Sequence, residues 1–312
     1  MRLSLENKYI IYGAFSEKEN IVEIEKDDYD RISIAKQSLV NMLYIEEKFN
    51  FIVENFLELE QELVKVTLNK MYFPIYSFDW SMSVSDIHLI NRRIINLLTT
   101  SRMYLDQVSH DLNILPHGKR ELTKVLDKIK STEYDNVLGY RVMEALRNYV
   151  QHRGLPVHLL SLNVKNAEFA DISEGITAEH SISPFIRLDD LERDGKFKKT
   201  ILTELKQLGD KINIKNYTRE YVQSLSNIQK FIRDILKEDV ETWERSIDDA
   251  FELYTKQYGE VKMVSIAVQP NHGFKLDRIH LMPDIITRRK WLESKNSELY
   301  NVTKKIGSTK AY

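Results

Sequence analysis

The chain has no cysteine, which excludes disulfide frameworks, thiolate metal sites and cysteine nucleophiles and suits a reducing compartment. It also lacks the run of roughly 18 apolar residues that a membrane-spanning helix needs. Residues 1–20 carry charges and Gly13 where a secretory leader would be apolar, so a cytoplasmic location with no membrane partner is expected. An excess of one charge is missing as well. With 45 basic and 47 acidic residues the formal net charge is −2, so contact with nucleic acid must rest on local basic patches, and coating of duplex DNA is disfavoured. No GxxxxGK[ST] loop, HExxH or GxSxG is present, leaving ATPase, zincin and α/β-hydrolase chemistry without local support. Internal repeats and low-complexity segments are absent.

What remains is a chain of 312 residues, 42% of them hydrophobic, enough for a substantial core. Residues 1–30 predict a β-hairpin, with β-branched and aromatic runs at Tyr9–Phe15 and Ile21–Ile24. From Ile32 to Leu68 apolar residues recur at helical spacing, predicting one long helix or two consecutive ones. Met71–Trp80 reads as a packed aromatic loop around Pro74, and Ser83 or Ser85 as the N-cap of a helix reaching about Asn113. Pro116 and Gly118 precede a short helix over Lys119–Lys130, and a second starts near Ser131. Residues 31–156 thus form the helical core. Residues 157–193 predict a β insertion, and 194–312 further helices with a strand over Val261–Gln269, a last amphipathic helix over Ile285–Tyr300 and a frayed tail at Gly307–Tyr312. The fold class expected is mainly α, a bundle of long helices with a small peripheral β portion.

The helix ending at His152 holds the chemistry. Leu138, Val142, Ala145, Leu146 and Tyr149 form its apolar face. Opposite them lie Arg141, Glu144, Asn148, Gln151 and His152, with Arg147 at the edge of that face. Asn148 and His152 are one turn apart, as are Arg147 and Gln151, and Glu144 precedes both Arg147 and Asn148 by a turn. Gly154 is placed to cap the helix and Pro156 follows it, which puts His152 in the last turn, where the negative helix end favours imidazolium. An imidazole exchanges protons near neutrality, its ordinary pKa being about 6.5, and a guanidinium grips phosphate oxygens with paired donors. RNA cleavage needs those properties: a base for the 2′-hydroxyl, an acid for the leaving 5′-oxygen and stabilisation of charge at phosphorus. No metal or other cofactor is required by that scheme, and DNA, without a 2′-hydroxyl, escapes it.

Arg147, Asn148 beside it and His152 after four intervening residues at a helix end resemble the R-x4-6-H signature of HEPN domains, within the string Leu146-Arg147-Asn148-Tyr149-Val150-Gln151-His152-Arg153-Gly154. The resemblance covers Ile32 to Pro156. It implies a helical bundle, a homodimer in which two motif copies build one ribonuclease site, and a catalytic pair of Arg147 and His152 positioned by Asn148. It also implies the company of toxins, abortive-infection effectors and antiviral nucleases, with an antitoxin or regulator as partner. Some members carry a tyrosine two residues after the histidine as a target for a nucleotidyltransferase; Gly154 stands there. The alternative reading is a noncatalytic module of the same type that binds RNA, a nucleotide or a protein.

Other patterns weigh less. Arg153 and His158 repeat the spacing, but Gly154 and Pro156 between them forbid a shared helix face. Asp284, Glu293 and Lys295 imitate a metal-dependent nuclease motif that belongs on strands, whereas this segment reads as helix. His110, Asp111 and His117 fit no zinc spacing. His88 and Arg92 read as helix surface, and Arg102 as an RNA contact from the second long helix. Arg288-Arg289-Lys290-Trp291 suits phosphate and base contact but equally a solvated edge. Asn271-His272-Gly273 is a turn.

Overall fold

A computed structural model describes residues 7–13, 20–73, 80–116, 120–166, 178–269, 277–297 and 299–305. The fold is mainly helical with small antiparallel sheets. In chain order the elements are β1 (Lys8–Gly13), β2 (Ile21–Ile24), α1 (Lys26–Tyr72), α2 (Trp80–Ile114), α3 (Arg120–Asn136), α4 (Leu138–His152), β3 (Leu159–Asn166) and β4 (Ala178–Arg187). Then come α5 (Leu188–Asp194), α6 (Lys199–Lys206), β5 (Lys211–Asn213), α7 (Ile214–Tyr258), β6 (Val264–Gln269), β7 (Asp277–Leu281), α8 (Pro283–Lys295) and a 3-10 turn (Leu299–Lys304). The three long helices contain neither glycine nor proline, so nothing in their interiors interrupts the hydrogen-bond ladder. α1 opens on Asp27 and Asp28, whose charge complements the positive helix end. α7 stops where Gly259 turns left-handed at φ 84°.

Several boundaries differ from the sequence reading. α1 is one helix and includes Met71 and Tyr72, and α2 opens at Trp80. Met71, Tyr72 and Trp80 of the expected aromatic loop are thus helical, and residues 74–79 lie outside the described residues. Ser85 donates to the carbonyl of Ser81 at 3.0 Å and so caps nothing. The break expected near Ser131 falls at Val137 instead, because Thr132 and Asn136 bond back to carbonyls four residues earlier and leave the helix intact. β5 and β7 were not foreseen. The turn at Asn271–Gly273, His117 and the tail Gly307–Tyr312 lie outside the described residues.

The chain forms two compact units, residues 1–47, 108–124 and 230–295 in one, and 48–107, 125–229 and 296–312 in the other. Each unit draws on more than one of the four segments read from the sequence. The first contains an antiparallel sheet in the order β2-β1-β6-β7. Its central strand β1 pairs with β2 (Tyr9↔Ile24 to Tyr12↔Ile21) and with β6 (Lys8↔Gln269 to Gly13↔Val264). Ile11, Ile32, Leu39, Leu236, Ile247 and Ile266 are among its buried apolar residues. Buried charge there is compensated: Arg233 grips Glu46 through two bonds of 2.8 and 2.6 Å, and Arg289 reaches Glu244 at 2.7 Å and Glu293 at 2.8 Å.

The second unit holds the motif helix. Its sheet has the order β3-β4-β5, with β3 and β4 paired from Leu159↔Phe185 to Asn166↔Ala178. Phe49, Phe56, Ile94, Leu97, Leu146 and Leu225 are buried in this unit. The buried Tyr104 hydroxyl donates to Gln229 Oε1 at 2.8 Å.

Candidate functional site

α4 starts without a capping side chain of its own; Val137 before it is extended. Its positive end is met from α7, where Glu220 Oε2 accepts the Gly139 N–H at 2.9 Å. A side chain at 139 has no room: a Cβ there would stand 2.5 Å from Glu220 Cβ and 2.9 Å from the Tyr217 carbonyl oxygen. The two helices therefore meet closely at this glycine. The next residue, Tyr140, packs on Tyr221 with ring centroids 5.3 Å apart. The fully buried Tyr221 hydroxyl donates to Glu144 Oε1 at 2.6 Å. Burial, then the neighbouring Glu144 carboxylate, pushes the Tyr221 phenol well above its ordinary pKa, so it stays a donor. Glu144, expected on the solvated face, is only 18% exposed, and its second oxygen faces Arg102 Nη1 at 3.7 Å.

The other end of α4 is held differently from expectation. Gly154 is no left-handed cap, for its φ lies outside that region. Instead the Arg153 N–H returns to the Tyr149 carbonyl at 2.8 Å. A Cβ at Gly154 would come within 2.9 Å of the Tyr149 hydroxyl, so the glycine makes room for that ring. Beyond it, buried Asn91 of α2 exchanges two bonds with Val157, donating to its carbonyl at 3.0 Å and accepting its N–H at 2.7 Å. That latch fixes the direction in which the chain leaves the helix.

Between these anchors, Val142, Ala145 and Leu146 are buried as expected, while Leu138 and Tyr149 are half-buried. Asn148, Gln151 and His152 are exposed. Arg147 Nη1 donates to Asn148 Oδ1 at 2.8 Å. Asn148 and His152 line an open cleft of about 380 Å³, with Glu144 and Tyr149. Arg147 and Gln151 are not on its wall. Arg141 serves the framework: it donates to the carbonyls of Tyr134 (3.1 Å) and Asp135 (2.7 Å) at the end of α3 and grips Glu204 of α6 at 2.7 and 3.0 Å. It thereby satisfies orphan carbonyls at one helix end and ties that end to another helix. Arg102 pairs with Asp106 at 2.7 Å and lines a second cleft, which shares Tyr134 and Glu144 with the first.

The rest of the lining was missed from the sequence. It is built by Tyr134 at the end of α3 and by Asp194, Lys196 and Lys198 around the α5–α6 connection. Gly195, in the left-handed region at φ 68°, ends α5 there. The Lys198 ammonium donates to the Tyr134 hydroxyl and lies 4.9 Å from its ring centre. Arg153 adds a further cation to the cleft, its Nε 3.9 Å from Asp194 Oδ1. Spacing along the chain carries no sign of this lining, since it joins residues over 60 positions apart.

The remaining candidates stay apart from it. His158 sits in extended chain after α4; its Nδ1 accepts the Arg187 N–H at 3.2 Å and lies 3.5 Å from Asp190. Burial lowers its pKa, with Asp190 opposing. Asp284, Glu293 and Lys295 all belong to helix α8, and Glu293 is engaged by Arg289. Trp291 is half exposed, with Arg288 at 4.6 Å and Lys295 at 5.3 Å from its ring centre, both on its own helix. His88 and Arg92 are exposed on α2.

The cleft thus combines an exposed imidazole, an amide oriented by a guanidinium, a phenol held by an ammonium, and two further cations. Those groups offer hydrogen-bond donors and positive charge to an anion, and an imidazole can serve as proton donor or acceptor. No protein-family model, no curated protein and no solved structure matches this chain.

Proposed function

We propose that the protein is a metal-independent endoribonuclease of the HEPN type, which cleaves RNA by attack of the 2′-hydroxyl on the adjacent phosphate. The observation that carries the reading is the exposed His152, which lines an open cleft together with Asn148 and the cations Arg153 and Lys196. His152 exchanges the proton, Asn148 with Arg153 and Lys196 binds the phosphate, and Arg147 orients Asn148 through their 2.8 Å bond. The protein acts as a homodimer in the cytoplasm, as a toxin or phage-defence effector restrained by an antitoxin or regulator. A second reading, binding of RNA without cleavage, gains from one observation: Arg147 is not on the cleft wall.

Incubation with single-stranded RNA in EDTA separates the two. The proposal expects products with 2′,3′-cyclic phosphate ends, lost in His152→Ala and Arg147→Ala at unchanged thermal stability. Binding without cleavage supports the second reading, and activity retained by His152→Ala removes the site assignment. Cleavage that EDTA abolishes directs attention to Asp284, Glu293 and Lys295.

A further inference from the structure

We infer that Tyr134, held by Lys198, is the general acid that protonates the leaving 5′-oxygen, so that both proton-transfer groups of the reaction come from one chain. The inference rests on the ribonuclease reading above. The sequence motif offers one titratable side chain, His152, for a reaction that needs a base and an acid. The same cleft is also lined by a second group able to give up a proton, Tyr134.

The Tyr134 hydroxyl is prepared for donation. Its oxygen accepts from the Lys198 ammonium, and its own proton has no acceptor among the described residues, leaving it available to a bound molecule. The ammonium bond persists on the oxygen after the proton has gone, which stabilises the phenolate formed. The ring is fixed as well: it stands edge-on to buried Tyr140, with centroids 6.4 Å apart and planes at 86°. The backbone beneath it is held by Arg141, whose guanidinium takes the Tyr134 carbonyl at 3.1 Å while gripping Glu204 on α6. α6 begins at Lys199, directly after Lys198. A single arginine therefore ties together the two segments that carry the acid and its positioning lysine, the kind of support a catalytic group requires.

The step balances. His152 takes the 2′-hydroxyl proton as the 2′-oxygen bonds to phosphorus; the P–O5′ bond breaks and its electron pair stays on the 5′-oxygen. Tyr134 delivers its proton to that oxygen. The products are a 2′,3′-cyclic phosphate and a 5′-hydroxyl, and proton exchange with water returns His152 and Tyr134 to their starting forms.

The test compares two substrates with one variant set. One is single-stranded RNA, whose 5′-alkoxide leaving group needs a proton; the other is uridine 3′-(4-nitrophenyl phosphate), whose nitrophenolate leaves without one. Tyr134→Phe is expected to lower kcat on RNA by about 100-fold or more with KM little changed, and to turn over the nitrophenyl ester like the unaltered protein. Lys198→Met should show the same split at about tenfold. His152→Ala should lose both activities. Equal rates for Tyr134→Phe and the unaltered protein on RNA would place the acid elsewhere, a second copy's His152 included, and overturn the inference while the ribonuclease reading stands. A Tyr134→Phe protein slowed equally on both substrates would also overturn it, as a structural effect. An unaltered protein inert on both substrates, or a fully active His152→Ala, sinks the ribonuclease reading and this inference with it.

Discussion

Replacing Gly139 by alanine sets two physical effects of opposite sign against each other. Helix propensity favours alanine by up to about 1 kcal/mol. The structure opposes it: the new methyl would lie 2.5 Å from Glu220 Cβ and 2.9 Å from the Tyr217 carbonyl oxygen, so α4 and α7 must separate locally. Forcing a methyl into a packed contact costs roughly 1–3 kcal/mol, and displacing the Glu220 carboxylate from its 2.9 Å bond to the Gly139 N–H removes a helix cap worth about 1 kcal/mol. The net expectation is a loss of about 1–3 kcal/mol. Urea titration followed by far-UV circular dichroism reads it as a lower midpoint. The contact can be isolated by a double-mutant cycle. Glu220→Ala keeps the Cβ and should leave most of the Gly139→Ala penalty in place, whereas Glu220→Gly removes the nearest atoms and should recover a larger part of it, the 2.9 Å approach to the Tyr217 carbonyl remaining, a coupling of at least about 1 kcal/mol. A Gly139→Ala protein as stable as the original, or more so, would refute the close helix approach on which the position of Glu144 depends.

Asn91→Ala would leave the Val157 N–H and carbonyl buried without their partners, and a loss of about 2–4 kcal/mol is expected in the same titration. Arg141→Lys keeps the charge but cannot reach two carbonyls and both Glu204 oxygens together; about 1–2 kcal/mol should be lost despite the conserved sign. His158 has its pKa lowered by burial, so the folded state binds fewer protons there than the unfolded chain. Its contribution to stability is present above the ordinary histidine value of about 6.5 and is lost as pH falls below it toward the folded pKa. Thermal midpoints across that window should fall less steeply in His158→Gln, and an identical slope would show that this imidazole stays protonation-neutral to folding.

How much was legible in the sequence follows the range of the forces involved. Helical spacing and the absence of interrupting glycine or proline made α1, α2 and α7 visible, and β-branched runs revealed β1, β3 and β4. The exposed side of α4 at Asn148, Gln151 and His152 was equally readable, being set by a 3.6-residue period. Glu144 was misread because the partner that buries it, Tyr221, comes from 77 residues away. Gly154 was assigned the backbone role glycine often has at a helix end, when the reason for it is the Tyr149 ring. Tyr134 and Lys198 carried no local mark at all; they stand 64 positions apart, on two segments that Arg141 also links. β5 and β7 were missed for another reason: one is three residues long and the other reads Asp-Arg-Ile-His-Leu, too short and too polar for a pattern of alternation to emerge.

The central place of β1 between β2 and β6 also bears on how the chain is made. During synthesis the first strand emerges with only its hairpin neighbour, and an isolated two-stranded hairpin is marginal in water. Its other edge pairs with residues 264–269, which leave the ribosome some 250 positions later. Until then the apolar side chains of Ile10 and Ile11 have no finished sheet to enter, and an open strand edge is a template for wrong pairing. The first unit is therefore completed only after residues 264–269 have been translated, and a nascent polypeptide stalled before Val264 should depend on holding factors and aggregate when they are withdrawn.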